Sequence, residues 1–306
     1  MRLNPNAAVL ARPGGALQIG LAAPVVVSGL DGPERAFVAS LEGGRSATQV
    51  ETQRFAGAMR ALTAAGADAG PPPSVAAQTV RVIGAGSVGL AVAKCVARSG
   101  VARISLVDPA PCGAEPTGTY PEGTSGTCAA AAAAALAPLV PRADLDAHTP
   151  ADLTVVVTAG AVDAVIARDL LAGGSKHLVV ACDESGAWVS HIVVPGVTAC
   201  SRCRDLALAR ADSAWPLLAL QCAARRPRLG AIARAGVAAA VASRAVAFLA
   251  TGATGSAGRV DREGRVADEP LWAEPGCGCG AAGPVGDEVA ARRAVMPRMR
   301  LDRPAP

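Results

Sequence analysis

The sequence is poor in aromatic residues. Three Trp, three Phe and one Tyr make up 2% of its 306 residues. That is too few for the stacking platforms that hold single-stranded nucleic acid. It also leaves the core to Ala, Val, Leu and Ile. Lysine is scarcer still, at Lys94 and Lys176 alone. The net charge is +4, and the last sixteen residues carry all of it, with five arginines against one aspartate. The rest of the chain is neutral, which argues against a basic stripe for DNA or RNA. Residues 286–306 read as a disordered basic tail. The N-terminus lacks the apolar core of a secretory signal. The most apolar later stretch, Ala231 to Ala250, carries Arg234 and Arg244. Each arginine costs about 2.5–3.5 kcal/mol at a bilayer centre, so the stretch reads as a buried or half-buried helix. The expectation is a soluble, cytoplasmic protein with no membrane or nucleic-acid partner. With 51% hydrophobic and 18% charged residues, whole-chain disorder is excluded.

Three regions separate by pattern. In residues 1–70, Ala16 to Gly20 and Pro24 to Val27 read as a hairpin. Asp31-Gly32-Pro33-Glu34 opens a helix that Gly43-Gly44 stops. Ser46 is expected to cap a second short helix, and a third runs near Phe55 to Ala65. A hairpin with three short helices is a winged-helix pattern. The proline run within 71–78 reads as a linker. From residue 79 to 285, strands alternate with helices: Val80–Ile83, Arg103–Asp108, Leu153–Thr158, His177–Ala181 and Trp188–Val194 are the expected strands. That order predicts an α/β domain with a doubly wound, mostly parallel, Rossmann-like sheet.

Two motifs carry chemistry. Gly84-Ala85-Gly86-Ser87-Val88-Gly89 lies between the first of these strands and a helix. Glycines let the backbone turn tightly and approach a phosphate, and the helix start offers free N–H groups. Asp108 ends the next strand nineteen residues after Gly89, where it can accept from ribose hydroxyls. Gly84, Gly86, Ser87, Gly89 and Asp108 are therefore the candidate cofactor-binding residues. A purely structural turn is the competing reading. The second motif is Cys200-Ser201-Arg202-Cys203 with Cys277-Gly278-Cys279, 73 residues further on. Two tight thiol pairs beside glycine or proline turns suit a closed, structural four-sulfur zinc site; four unrelated thiols are the alternative. The other five cysteines read as small buried hydrophobes. No Ser–His–Asp order is visible, and no catalytic residue is assigned.

Together these motifs resemble the ThiF/MoeB/HesA family, relatives of the ubiquitin-activating enzymes, over residues 75–285. The run Val194-Pro195-Gly196-Val197-Thr198-Ala199-Cys200-Ser201-Arg202-Cys203 looks like that family's segment before its zinc knuckle. The resemblance implies ATP and Mg²⁺ at the glycine loop, zinc on Cys200, Cys203, Cys277 and Cys279, a homodimer, and adenylation of the C-terminal carboxylate of a small carrier protein or peptide. The chain departs from this pattern. Residues 109–127, where active members carry an Asn-x-x-Arg-Gln-type stretch, hold no Asn, Arg or Lys. The family's Asp-Asn falls near Thr158-Ala159-Gly160. A single cationic clamp can be worth about 10³–10⁵ in phosphoryl-transfer rate, so these losses predict little activity. The N-terminal region, with Arg12-Pro13-Gly14-Gly15 and Leu41-Glu42-Gly43-Gly44-Arg45, resembles the peptide-recognition winged helix of bacteriocin cyclodehydratase partner proteins. That resemblance implies a precursor leader peptide added as a strand to the wing.

Three readings follow. The first is a ThiF-type protein with a degenerate site, acting as a scaffold or leader-peptide-binding partner. The second is a working adenylyltransferase. The third is an NAD-binding oxidoreductase, which the glycine turn and Asp108 permit, although no catalytic Tyr-Lys or His-acid pair accompanies them.

Overall fold

The structure, a computed structural model, describes residues 1–70, 74–116, 118–140, 143–146 and 148–281. The expected basic tail lies outside the described residues. Contacts divide the chain into two units, Met1–Pro73 and Ser74–Pro306.

In the first unit, β1 (Val9–Ala11), β2 (Leu17–Ile19) and β3 (Val25–Val27) form an antiparallel sheet in that order. The β2–β3 hairpin is the expected one; β1 joins it unannounced. Helix α1 (Gly32–Ser40) starts as its sequence dictates. The Asp31 carboxylate accepts the Glu34 N–H, and the Glu34 carboxylate accepts the Asp31 N–H. Helix α2 (Gln49–Arg54) repeats the device with Thr48 and Glu51. The cap is thus Thr48 and not Ser46: the Thr48 hydroxyl accepts the Glu51 N–H and the Glu51 carboxylate accepts the Thr48 N–H. Helix α3 (Ala56–Ala64) completes the unit. Its core is Leu3, Leu17, Ile19, Val38, Leu41 and Leu62 around Phe37, whose ring stacks on Phe55 at 4.5 Å.

The second unit runs β4 (Thr79–Ile83), α4 (Ser87–Arg98), β5 (Arg103–Val107), α5 (Cys128–Leu136), β6 (Leu153–Ala159), α6 (Ala164–Ala172), β7 (His177–Asp183), β8 (Gly186–Val189), α7 (Ser201–Ala211), α8 (Trp215–Ala223), α9 (Ala231–Thr251), β9 (Gly258–Asp261) and β10 (Val266–Asp268). Its seven strands lie in the order β10-β9-β8-β7-β6-β4-β5. Strands β5, β4, β6 and β7 are parallel, and β8, β9 and β10 continue the sheet antiparallel. The mostly parallel sheet of the sequence reading is present as four parallel strands with an antiparallel extension of three.

Side chains alternate between two buried faces, as strand geometry requires. Val155, Val157, Leu178, Val180 and Val189 face the cluster that includes α4, α5 and α9. Val156, Val179, Ala181 and Trp188 face the opposite cluster, which includes Leu170 of α6. Helix α9 is long and apolar enough to cross a membrane by length and composition, but Val237, Val241, Ala245 and Phe248 are buried in the first cluster. Strand β8 ends at Val189, short of the expected Val194, because the chain turns away there. The Ser190 hydroxyl accepts the Val179 N–H, and only a single bridge, His177 to Val193, follows.

Candidate functional site

Strand order reverses at β4, whose neighbours are β5 on one side and β6 on the other. In open α/β sheets the crevice beyond the C-terminal ends of such strands is where ligands bind. The glycine turn lies there, and each glycine has a separate steric reason. Gly84 has φ +88°, and a Cβ on it would sit 2.5 Å from the Val157 carbonyl oxygen. A Cβ on Gly89 would lie 1.8 Å from the Gly84 oxygen, so this glycine sets how closely α4 packs on its strand. A Cβ on Gly86 would meet the Glu115 carboxylate at 2.7 Å.

A cavity of about 410 Å³ opens at this point, lined in part by Gly84, Gly86, Gly89 and Asp108. Four of the five sequence-derived candidates thus share one pocket, and the fifth, Ser87, donates its N–H to Glu115, which also lines it. Asp108 braces the turn: its carboxylate accepts the N–H groups of Ala85 at 2.9 Å and Ala110 at 3.1 Å. The Tyr120 hydroxyl donates to the Ala85 carbonyl at 3.0 Å, and burial pushes its pKa up.

Sequence reasoning missed Glu115 and Arg226. Glu115 comes from the Gly- and Pro-rich segment after β5. Its carboxylate accepts the Ser87 N–H at 2.8 Å and pairs with the Arg226 guanidinium at 2.7 Å. The guanidinium also donates to Cys128 Sγ at 3.2 Å and to the Pro111 carbonyl at 3.3 Å. With these partners its pKa is raised above the ordinary arginine value. Arg225 lines the same cavity. Residues 109–127 hold no cation, and the two arginines that line the cavity come from the segment after α8, with Arg226 111 positions beyond Glu115. The run Arg225-Arg226-Pro227-Arg228 was the available signal.

The end of β6 carries no metal-binding acid. Gly160 there hands its carbonyl to Arg204 Nη1 at 2.8 Å, and the Arg204 guanidinium lies 4.9 Å from the Trp188 ring centroid. Asp163 lines the cavity, but its carboxylate caps α6 by accepting the N–H groups of Val165 and Ile166. The residues present do not fit a magnesium triphosphate. The N–H at the start of α4 is already taken by a carboxylate, and one of the two nearby arginines is committed to that same acid.

The cysteine pairs tell the opposite story. The Sγ atoms of Cys200, Cys203, Cys277 and Cys279 all lie within 4.8 Å of one another. Cys200 to Cys277 is 3.4 Å, Cys203 to Cys279 is 3.7 Å and Cys200 to Cys203 is 4.0 Å. A tetrahedron with zinc–sulfur bonds of about 2.3 Å needs edges of about 3.8 Å. The donor set therefore fits zinc, and the Glu274 N–H directed at Cys203 Sγ at 3.4 Å adds an outer contact. Of the remaining cysteines, Cys112, Cys128 and Cys182 are buried and Cys95 and Cys222 half-buried; burial pushes the Cys182 thiol up to about 12.

No family model and no curated protein matches the sequence. Solved structures do match. The microcin C7 biosynthetic enzyme MccB in complex with N-formylated MccA is 14% identical, with a TM-score of 0.58 over 92% of this chain and 99% of that one. Escherichia coli MccB with ATP is 13% identical, with a TM-score of 0.57 over 92% and 99%. The heterocyclase TruD is 16% identical, with a TM-score of 0.57 over 92% of this chain but 42% of that one. At these identities the likeness speaks for the fold alone, one this chain shares with MccB and TruD.

Proposed function

We propose that this chain is a ThiF-like partner protein in peptide modification, one that holds a small precursor peptide and carries an adenylation-type site that does not turn over. The observation that carries this reading is the acid-filled start of α4, where Glu115 takes the Ser87 N–H. Adenylation gathers negative charge at such a turn, and catalysis needs cations that remain free to meet it. Here Arg226 is paired and the end of β6 offers no acid for a metal.

The N-terminal unit is the peptide-binding part of this proposal, read as a winged-helix leader-peptide domain. Its sheet has one engaged edge and one open edge. The Val9 N–H on β1 already donates to the Glu42 carboxylate at 3.2 Å. Among the described residues strand β3 pairs with β2 alone, and its Val26 is 45% exposed. An extended peptide would add there as a fourth strand, its main chain supplying affinity. The solved complex of MccB with MccA supports a small peptide partner. Zinc on the four cysteines, a homodimer and a cytoplasmic setting belong to the same proposal.

The test pairs two measurements on small peptides encoded beside this gene. Fluorescence anisotropy should show capture, and ATP–pyrophosphate exchange should stay at background. Outward N–H groups alternate along a strand, so one of Val25→Pro and Val26→Pro removes an outward donor and should abolish capture while the unit stays folded. Exchange above background would replace this reading with the working adenylyltransferase, the reading that Arg225 and Arg226 in the cavity favour.

A further inference from the structure

Three features meet on Glu115. Its side chain is 4% exposed. It accepts a hydrogen bond from the first residue of α4, where the helix dipole and unpaired N–H groups favour an anion. It also rests over Gly86 so closely that a Cβ there would lie 2.7 Å from one carboxylate oxygen and 2.9 Å from the other. The close backbone approach that such a glycine gives a pyrophosphate is thus used by the chain's own acid. Arg226 completes the arrangement as the countercharge a phosphate would otherwise need, at 2.7 Å.

We infer that Glu115 decides which ligands the glycine turn admits: its carboxylate substitutes for a phosphate, paired with Arg226, and closes the seat to nucleoside di- and triphosphates. The inference rests on reading this turn as a nucleotide-type seat. A phosphate entering beside a buried carboxylate meets like charge and finds its hydrogen-bond donor taken. Once the acid is removed, the same place presents the Ser87 N–H, Arg226 and the neighbouring Arg225, a donor set of the right sign for a phosphate. Asp108 is untouched by that exchange.

The experiment is a calorimetric titration of the whole chain with ATP, for the wild type, E115A, E115Q and E115A/R226A. E115A should bind about ten- to hundredfold more tightly than the wild type, the worth of freeing a charge-assisted hydrogen bond. E115Q, which keeps the shape and loses the charge, should gain less. E115A/R226A should fall back towards the wild type. Inorganic phosphate should raise the unfolding midpoint of E115A and leave that of the wild type unchanged. Wild-type binding as tight as that of E115A, or no gain in a folded E115A, overturns the inference. Should E115A fail to fold, E115Q decides by the same criterion. Peptide capture at the β3 edge should be equal in all four proteins. Its loss in all of them would sink the peptide reading and leave the Glu115 result standing.

Discussion

The two units are held together by different means. The N-terminal unit contains no Cys, His, Trp, Tyr or Lys. It relies mostly on features close in sequence, two capping boxes, a short sheet and a stacked Phe37–Phe55 pair, with Arg2 tying its start to Asp68. The C-terminal unit holds all nine cysteines and all three histidines, and its decisive contacts are distant. Cys200 meets Cys277, 77 positions away, and Glu115 meets Arg226, 111 away. Local contacts make a unit that folds from its own signals. Distant ones make a site whose parts carry no mutual signal until the sheet assembles.

The strongest way to separate the units is to attack the sulfur cluster. Apparent zinc-site free energies are large, about 10–16 kcal/mol in small zinc-folded peptides. Chelation, or Cys203→Ser, should therefore lower the unfolding midpoint of the C-terminal unit by about 20 °C or more. Elemental analysis should find one zinc per wild-type chain and none in the variant. Hydrogen exchange read peptide by peptide should loosen around α7 and residues 271–279 and leave residues 1–70 unchanged. Protection lost equally in both units would break the comparison.

The reverse experiment is Phe37→Ala. Phe37 is 4% exposed and carries the only stacked aromatic pair among the described residues. Truncating a buried Phe costs about 3–5 kcal/mol, most of what so small a unit can muster. Exchange in residues 1–70 should approach that of an unfolded chain while β4 to β7 stay protected. A smaller step in the same direction is Thr48→Ala. It opens one capping box and should cost about 1 kcal/mol, visible as a shifted denaturation midpoint with an unchanged slope.

Much of this architecture was legible in the sequence, and what was legible was local. Helix α5 begins and ends where its alanine run does, and the strand–glycine–helix–strand–acid order placed the turn and Asp108. The Gly- and Pro-rich segment after β5 hid Glu115, because a lone acid in an irregular stretch has no period to betray it. Helix α8 was missed for a related reason. Leu217 and Leu220 stay 63% and 70% exposed, and none of its residues is buried, so no apolar face marks it. Strand β9 alternates over only four residues, and β10 is three residues long and wholly exposed, too little pattern to read. The cysteine pairs were visible because each pair is local, although their meeting is not.

The smallest expected difference between the units is in acid. His177, in β7, is 1% exposed and burial is the largest cause of its lowered pKa, with the carbonyl of Ser175 at 2.8 Å partly opposing it. Unfolded, it titrates near the ordinary histidine value of about 6.5. Between that value and the lower one in the fold, the unfolded chain holds more protons. Stability of the C-terminal unit therefore rises with pH across this window and is lost as pH falls through it. The N-terminal unit has no histidine. Its Glu51 is drawn down to about 2, first by the hydrogen bond from Arg45, so that contribution persists until pH drops below the usual carboxylate range. Denaturation midpoints between pH 7 and pH 5.5 should thus fall for the C-terminal unit and stay flat for the N-terminal one. His177→Gln should reduce the slope whatever it does to the level, and an unchanged slope would mean that the imidazole is not the group being protonated.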